Sequence, residues 1–136
     1  MKDDIIINKI ETIKRCLQRI KEEYIGFEEE LQSNYTKQDS IILNLERVAQ
    51  ASIDVSTHII RVNNLGVPKT SRDVFTLLFD ANVLSENISE QMKKMVGFRN
   101  IAVHDYQNIS LEIVRSICTK HLTDFEKFIQ EVLDAE

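Results

Sequence analysis

The chain has 136 residues, enough for one domain with a substantial buried core. Its three glycines and single proline, with many Ile, Leu, Glu and Lys residues, favour helices joined by short loops over sheets. Seventeen basic residues against 22 acidic ones give a net charge of −5. That charge argues against a broad electrostatic grip on nucleic acid, but it leaves a local contact with phosphate open.

No apolar run is long enough to cross a bilayer, and the residues from Met1 to Asp4 do not begin a secretory signal. We therefore expect a cytoplasmic protein without membrane attachment. Cys16 and Cys118 fall within apolar helical patterns and lack the CxxC spacing of zinc and redox sites. We expect them to be reduced core thiols, and we expect no metal site and no cofactor.

Apolar residues at alternating steps of four and three predict two long helices in the first half of the chain. Asp3 or Asp4 can cap the first helix, which ends before Gly26 and carries Ile6, Ile10, Ile13, Leu17, Ile20 and Tyr24. The stretch Thr36-Lys37-Gln38-Asp39 resembles a capping signal for the second helix. That helix continues to about Asn63 and carries Ile41, Leu45, Val48, Ser52, Val55, Ile59 and Val62.

Three shorter helices are predicted to follow. Thr70 to Asp73 cap one with Phe75, Leu78 and Phe79 facing inward, and Ser85 opens the next, with Ile88, Met92 and Met95 on one face. Ser110 caps the last helix, whose stripe includes His121 as a hydrogen-bonded core or boundary imidazole. Residues 1–136 are thus predicted to form a single all-α domain, an antiparallel bundle of four or five helices. Its surplus of apolar surface indicates a homodimer.

A polar seam formed by Arg47, Asp54, His58 and Arg61 runs beside the apolar stripe of the second helix. Asp54 and His58 are one turn apart and are expected to pair. The seam is either an exposed ladder of ion pairs or a support for a functional site or dimer contact, and the sequence leaves this open.

The fourth helix contains the feature that points to function. A step of four from Met95 places Arg99 where the apolar pattern requires a residue such as leucine. A half-buried guanidinium needs an anion, which either the protein or a ligand must supply. Gly97, inside the same helix, costs about 1 kcal/mol relative to alanine, which indicates a close contact there, such as another helix backbone. His104, Asp105 and Tyr106 follow in a row.

Arg99 and His104 suit the cleavage of RNA without a metal ion. Histidine titrates near neutrality and serves as a general acid or base, and both the helix C-terminus and Asp105 favour its protonated form. The arginine fork stabilises charge on phosphoryl oxygens. On a straight helix the two side chains point about 140° apart and lie about 7.5 Å apart along the axis. They converge only if the helix ends between them or if two copies face each other, and a two-fold dimer also supplies a second histidine.

The segment from Gly97 to Tyr106 resembles the R-x4-H-x-Y motif of HEPN-domain toxins of the HepT type. The arginine, the polar Asn100 after it, the histidine and the tyrosine two residues beyond are all present. The likeness extends over nearly the whole chain, since a helical bundle with the motif late and one helix after it is the plan of that family.

This resemblance implies a HEPN-like fold and a ribonuclease toxin that is active as a homodimer. Arg99 and His104 would be catalytic in the dimer cleft, with Asn100 and Asp105 in support. It also implies a small MntA-like nucleotidyltransferase antitoxin as partner, which uses ATP to place AMP on Tyr106 and so blocks the RNA phosphate. Lys93 and Lys94, one to two turns before the arginine, are expected to assist contact with RNA.

Two other interpretations remain open on the sequence. A non-catalytic HEPN accessory subunit would use the same cleft to hold a nucleotide or the partner transferase, and a structural dimerisation bundle would carry the motif as a vestige. The presence of both Arg99 and His104 favours the enzyme.

Overall fold

A computed structural model describes residues 3–136. Met1 and Lys2 lie outside the described residues. They belong to the segment from Met1 to Asp4, which we expected not to form a secretory signal. Within residues 3–136 the regular structure is helical, with short 3-10 turns at Glu28–Glu30 and Tyr106–Asn108. The helices are α1 (Asp4–Tyr24), α2 (Tyr35–Val62), α3 (Asp73–Asp80), α4 (Glu86–His104), α5 (Leu111–Ser116) and α6 (Leu122–Asp134).

The predicted stripe of α1 is confirmed, because all six of its apolar residues are buried. Asp3 caps the helix by accepting a hydrogen bond from the backbone N–H of Ile5 at 2.8 Å. The cap of α2 was predicted wrongly. The helix begins earlier, where the side chain of Asn34 accepts from the N–H of Lys37 at 3.1 Å. An asparagine is at least as good an acceptor as Thr36 at this position, and it comes first in the chain.

The bundle is antiparallel, as predicted. Three polar contacts join α1 to α2, and their partners run in opposite order along the chain: Asp3–His58 at 2.6 Å, Lys9–Asp54 at 3.3 Å and Glu23–Lys37 at 3.8 Å. The end of α1 also contacts the last helical segment, where Lys21 lies 2.7 Å from Glu126 and Tyr24 lies 2.9 Å from Thr119. α2 packs against α1, α3 and α4, and is therefore central.

The seam along α2 does not form the predicted pair between Asp54 and His58. Asp54 instead contacts Lys9 and Gln50, and the buried His58 bonds to the Asp3 carboxylate through Nε2. His58 also lies 3.3 Å from the guanidinium of Arg61. The helix α1 passes close enough to capture both residues, and a carboxylate on a neighbouring helix competes successfully with one on the same helix.

The last predicted helix is interrupted. A π-helical turn at Ile117–His121 separates α5 from α6, and His121 ends this turn with Nδ1 2.8 Å from the Asp124 carboxylate. The imidazole is partly buried and hydrogen-bonded, which confirms the boundary role predicted for it. Phe79 was predicted to face inward but is 40% exposed, because it lies in the last turn of the short helix α3.

The core runs the length of the bundle and includes an edge-to-face contact between Phe75 and Phe128, whose ring centres are 6.0 Å apart. Cys16 and Cys118 are free and buried, and burial raises the pKa of the Cys118 thiol to about 12. None of the helices in the described range is long and apolar enough to span a membrane.

Candidate functional site

The motif occupies the last turns of α4 and the 3-10 turn after it. The helix continues through Arg99 and ends directly after His104, where the N–H of Asp105 still bonds to the carbonyl of Ile101 at 2.8 Å. The helix therefore does not end between the arginine and the histidine. Residues five positions apart on a continuous helix point about 140° apart, so a single copy of α4 does not bring Arg99 and His104 together.

Arg99 is a partly buried cation held by neutral groups. Its Nη1 donates to Oδ1 of Asn100 at 2.7 Å, and its Nη2 donates to Oγ of Ser71 at 3.4 Å, in the loop before α3. Its Nε is buried and has no hydrogen-bond partner within residues 3–136. No carboxylate of the described chain pairs with this guanidinium. Within the described residues, the positive charge of Arg99 is therefore not compensated by a negative one, as is typical of a site that binds an anion.

A second guanidinium, that of Arg72, packs against α4 at Gly97. A Cβ atom on this glycine would lie 3.0 Å from Nη2 of Arg72, so the guanidinium of Arg72 rests against the bare backbone. The predicted close contact is real, but its partner is an arginine side chain rather than another helix backbone. The loop that supplies Ser71 and Arg72 therefore packs on α4 beside Arg99.

His104 is the last residue of α4 and is exposed to solvent. Its ring makes no hydrogen bond within the part of the chain that the structure describes. The carboxylate of Asp105 is directed elsewhere, since both of its oxygens accept from the side-chain amide of Asn108, at 2.9 and 3.0 Å. Asp105 thus fixes the turn after the helix, while the imidazole is left free to meet a ligand or a second protein surface.

Tyr106 lies in the 3-10 turn, and its hydroxyl donates a hydrogen bond to Oδ1 of Asp39 in α2. Burial and this hydrogen bond together raise the pKa of the phenol to about 12. The residue is still 45% exposed, so the side chain is accessible from solvent. At neutral pH the tyrosine is a protonated, oriented hydroxyl.

Three residues of this site were missed from the sequence. Asp39 was interpreted as part of a helix cap, and Ser71 and Arg72 as part of another. Asp39 is 67 positions from Tyr106 and Ser71 is 28 from Arg99, so no local pattern connects them. The step of four from Met95 identified the arginine, but its neighbours across the fold carry no comparable signal.

The chain matches the family described as "Ribonuclease HepT-like" over residues 13–132. It is 52% identical to the mRNA nuclease HepT of Shewanella oneidensis over 134 residues, which cover 98% of this chain and 99% of that protein. It is 26% identical to the tRNA nuclease HepT of Aphanizomenon flos-aquae, covering 94% of this chain and 87% of that protein.

A solved structure of the tri-AMPylated Shewanella oneidensis HEPN toxin in complex with an MNT antitoxin is also similar. Its toxin chain is 52% identical and superposes with a TM-score of 0.93, over 99% of this chain and all of that chain. Fold and length therefore match almost completely and about half of the residues are identical, so the chain belongs to the HepT-like family of ribonucleases.

Proposed function

We propose that this protein is the endoribonuclease toxin of a HEPN/MNT toxin–antitoxin system, that it cuts RNA without a metal ion, and that it acts in the cytoplasm, where its substrate is found. The observation that carries the catalytic assignment is Arg99, a half-buried guanidinium whose described partners are neutral, on the same helix as the exposed His104. Family membership and the 52% identity to an mRNA nuclease support the choice of RNA as substrate.

In the proposed reaction an imidazole accepts the 2′-OH proton, and the 2′-oxygen attacks the adjacent phosphorus. The bond from phosphorus to the 5′-oxygen breaks, a second imidazole protonates that oxygen, and a 2′,3′-cyclic phosphate remains. Arg99 binds a non-bridging oxygen and stabilises the charge that builds up on it. Asn100 and Ser71 hold two of its donors, so that the rest of the fork is directed before RNA binds.

This scheme needs two copies of the motif, and we propose a homodimer with the two α4 ends facing each other. Each catalytic side chain has an exposed apolar neighbour on its own helix face. Ile101, three residues before His104, is 42% exposed, and Val103, four residues after Arg99, is 47% exposed. Covering these side chains with a second copy would bury apolar surface and bring one copy's arginine to the other's histidine.

We further propose an MntA-like nucleotidyltransferase as the antitoxin and Tyr106 as its target. The phenolic oxygen would attack the α-phosphate of ATP, release pyrophosphate and pass its proton to a base. The resulting phosphodiester would lie two residues from His104 and carry negative charge toward the anion site at Arg99. The AMPylated toxin structure with its antitoxin supports this silencing step.

The decisive experiment uses the chain purified without any transferase and single-stranded RNA in EDTA. Cleavage with cyclic phosphate ends is expected, and both Arg99→Ala and His104→Ala should abolish it while leaving the circular dichroism spectrum unchanged. Arg61→Ala and His121→Ala are matched controls outside the motif and should retain cleavage. A well-folded protein that binds RNA but never cuts it would instead indicate the non-catalytic accessory subunit.

The modification is tested by co-expression with an MntA-like transferase, followed by mass spectrometry of peptides. AMP is expected on Tyr106 and absent from the Tyr106→Phe variant. Tyr35 is an internal control, because at 74% exposed it is the more accessible phenol and should stay unmodified. AMP on Tyr35 alone would contradict the proposed silencing mechanism.

A further inference from the structure

A groove of about 640 Å³ lies between α1 and α2, on a face whose function the motif does not explain. Its walls carry three arginines: Arg15 and Arg19 from α1 and Arg47 from α2. A volume of this size is within the range of small-ligand sites, roughly 300–1,000 Å³. The three guanidinium groups concentrate positive charge in a chain whose net charge is −5.

These charges are not neutralised within the described structure. None of the three guanidinium groups forms an ion pair or hydrogen bond with any residue from 3 to 136. Burial raises the pKa of the Cys16 thiol at the base of the groove, and the positive charges of Arg47 and Arg15 oppose that rise. Arg15 and Arg47 line the same groove as this sulfur, and an anion bound there would offset the repulsion between their like charges.

The groove reaches the catalytic motif. Asp39 is the one acidic residue of its lining, and this carboxylate accepts the hydrogen bond from Tyr106. Tyr106 follows His104 by two residues. A strand of phosphates lying along the three arginines would thus end beside the residues that are proposed to cut it.

We propose that the groove formed by Arg15, Arg19 and Arg47 binds the phosphodiester backbone of the RNA substrate and leads it to Arg99 and His104. This inference rests on the proposed nuclease function. Arginine forks match phosphate oxygens, and such backbone contacts fix the position of a nucleic acid without reading its sequence. The groove supplies the local attraction for RNA that the acidic chain as a whole lacks. An AMP chain attached to Tyr106 has the same phosphodiester chemistry, so the test separates it from RNA.

The test measures binding of a labelled single-stranded RNA by fluorescence anisotropy across a range of salt concentrations. The parent protein is the unmodified His104→Ala variant, which keeps the RNA intact. Arg15→Gln, Arg19→Gln and Arg47→Gln are combined in one variant. Affinity falls as salt rises, so a plot of log affinity against log salt has a negative slope. Removing three phosphate contacts should make this slope less steep by about 2 and weaken binding at low salt by about tenfold or more.

Two control variants isolate the groove. Lys14→Gln, Lys120→Gln and Lys127→Gln together remove the same charge from exposed positions elsewhere, and they should leave the slope nearly unchanged. Replacing the three groove arginines with lysine keeps the charge, and should restore the slope while recovering only part of the affinity. Single-stranded DNA of equal length should show the same loss of slope, because the groove contacts the backbone.

The inference is overturned if the folded triple glutamine variant binds RNA with the affinity and slope of its parent. If that variant binds RNA normally but leaves an AMP chain on Tyr106 newly open to phosphodiesterase, the groove belongs to the modification and RNA is excluded as its occupant. A wild-type protein that neither binds nor cleaves RNA would instead remove the proposed function itself. The arginines are exposed, so the circular dichroism spectrum should be unchanged in every variant.

Discussion

Replacing Gly97 with alanine is expected to stabilise the protein, although it introduces a close contact. The backbone at this glycine is ordinary helix, so alanine removes an entropic penalty of about 1 kcal/mol. The new methyl group would meet Nη2 of Arg72 at 3.0 Å, a few tenths of an ångström too close. That atom is the far end of an exposed and flexible side chain, which can move aside at little cost. The net gain should be about 0.5–1 kcal/mol.

Urea and thermal denaturation of the unmodified protein measure this gain, which corresponds to roughly 2–4 °C in Tm for a domain of this size. Gly26→Ala is the matched control. Its φ of +85° is in the left-handed region, so alanine there should destabilise by about 1 kcal/mol even though nothing lies within 4 Å of the new methyl group. The Arg72→Ala background removes the one close neighbour of position 97. If Gly97→Ala destabilised both the wild type and the Arg72→Ala variant, the contact with Arg72 would not be the reason for the glycine, which would refute this explanation.

Three further predictions concern the site and the core. Arg99→Lys keeps the charge but loses the fork, so kcat/KM for RNA should fall by about a hundredfold or more, and near-normal activity would contradict the bidentate role. Asp39→Asn removes a negative acceptor, so the pKa of Tyr106 should fall from about 12 toward its usual value near 10, as followed by NMR of labelled tyrosine. In the wild type the folded-state pKa is the higher one, so this contribution to stability is complete below about pH 10 and is lost as pH rises toward 12. Phe125 is fully buried, so Phe125→Ala should cost about 3–5 kcal/mol in the free energy of unfolding, whereas Leu133→Ala, at a 36% exposed position, should cost much less.

Much of the fold was predictable because helix packing leaves a periodic trace in the sequence. The stripe from Ile6 to Tyr24 is buried as a whole, and glycine after it marks the end of α1. The π-helical turn at Ile117–His121 was not predictable, since one extra residue in a turn changes the backbone while steps of three and four still keep the side chains on one face. The cap of α2 was predicted at the wrong residue because Asn34 and Thr36 are both good acceptors and only the geometry of the loop selects between them.

The candidate site was predictable only where its residues lie in one segment of the sequence. Arg99, His104 and Tyr106 lie close together in the sequence, and the charge of Arg99 at an apolar position of the helix indicates that this segment is functional. The partners of these residues come from α2 and from the loop before α3. Nothing in the sequence marks the role of Asp39 in particular, because an acid three residues after Thr36 is already explained as part of a helix-capping signal.

The contact between Tyr106 and Asp39 has a consequence for any nucleotide attached to the phenol. An ester at that oxygen removes the only proton the phenol can donate, and it sets an anionic phosphorus centre beside a carboxylate. The bond that adds the nucleotide therefore removes the hydrogen bond between the turn after α4 and Asp39 of α2. Each modified chain would thus carry a charged nucleotide next to α4 and lack this contact with α2, and removal of the nucleotide would let the hydrogen bond form again.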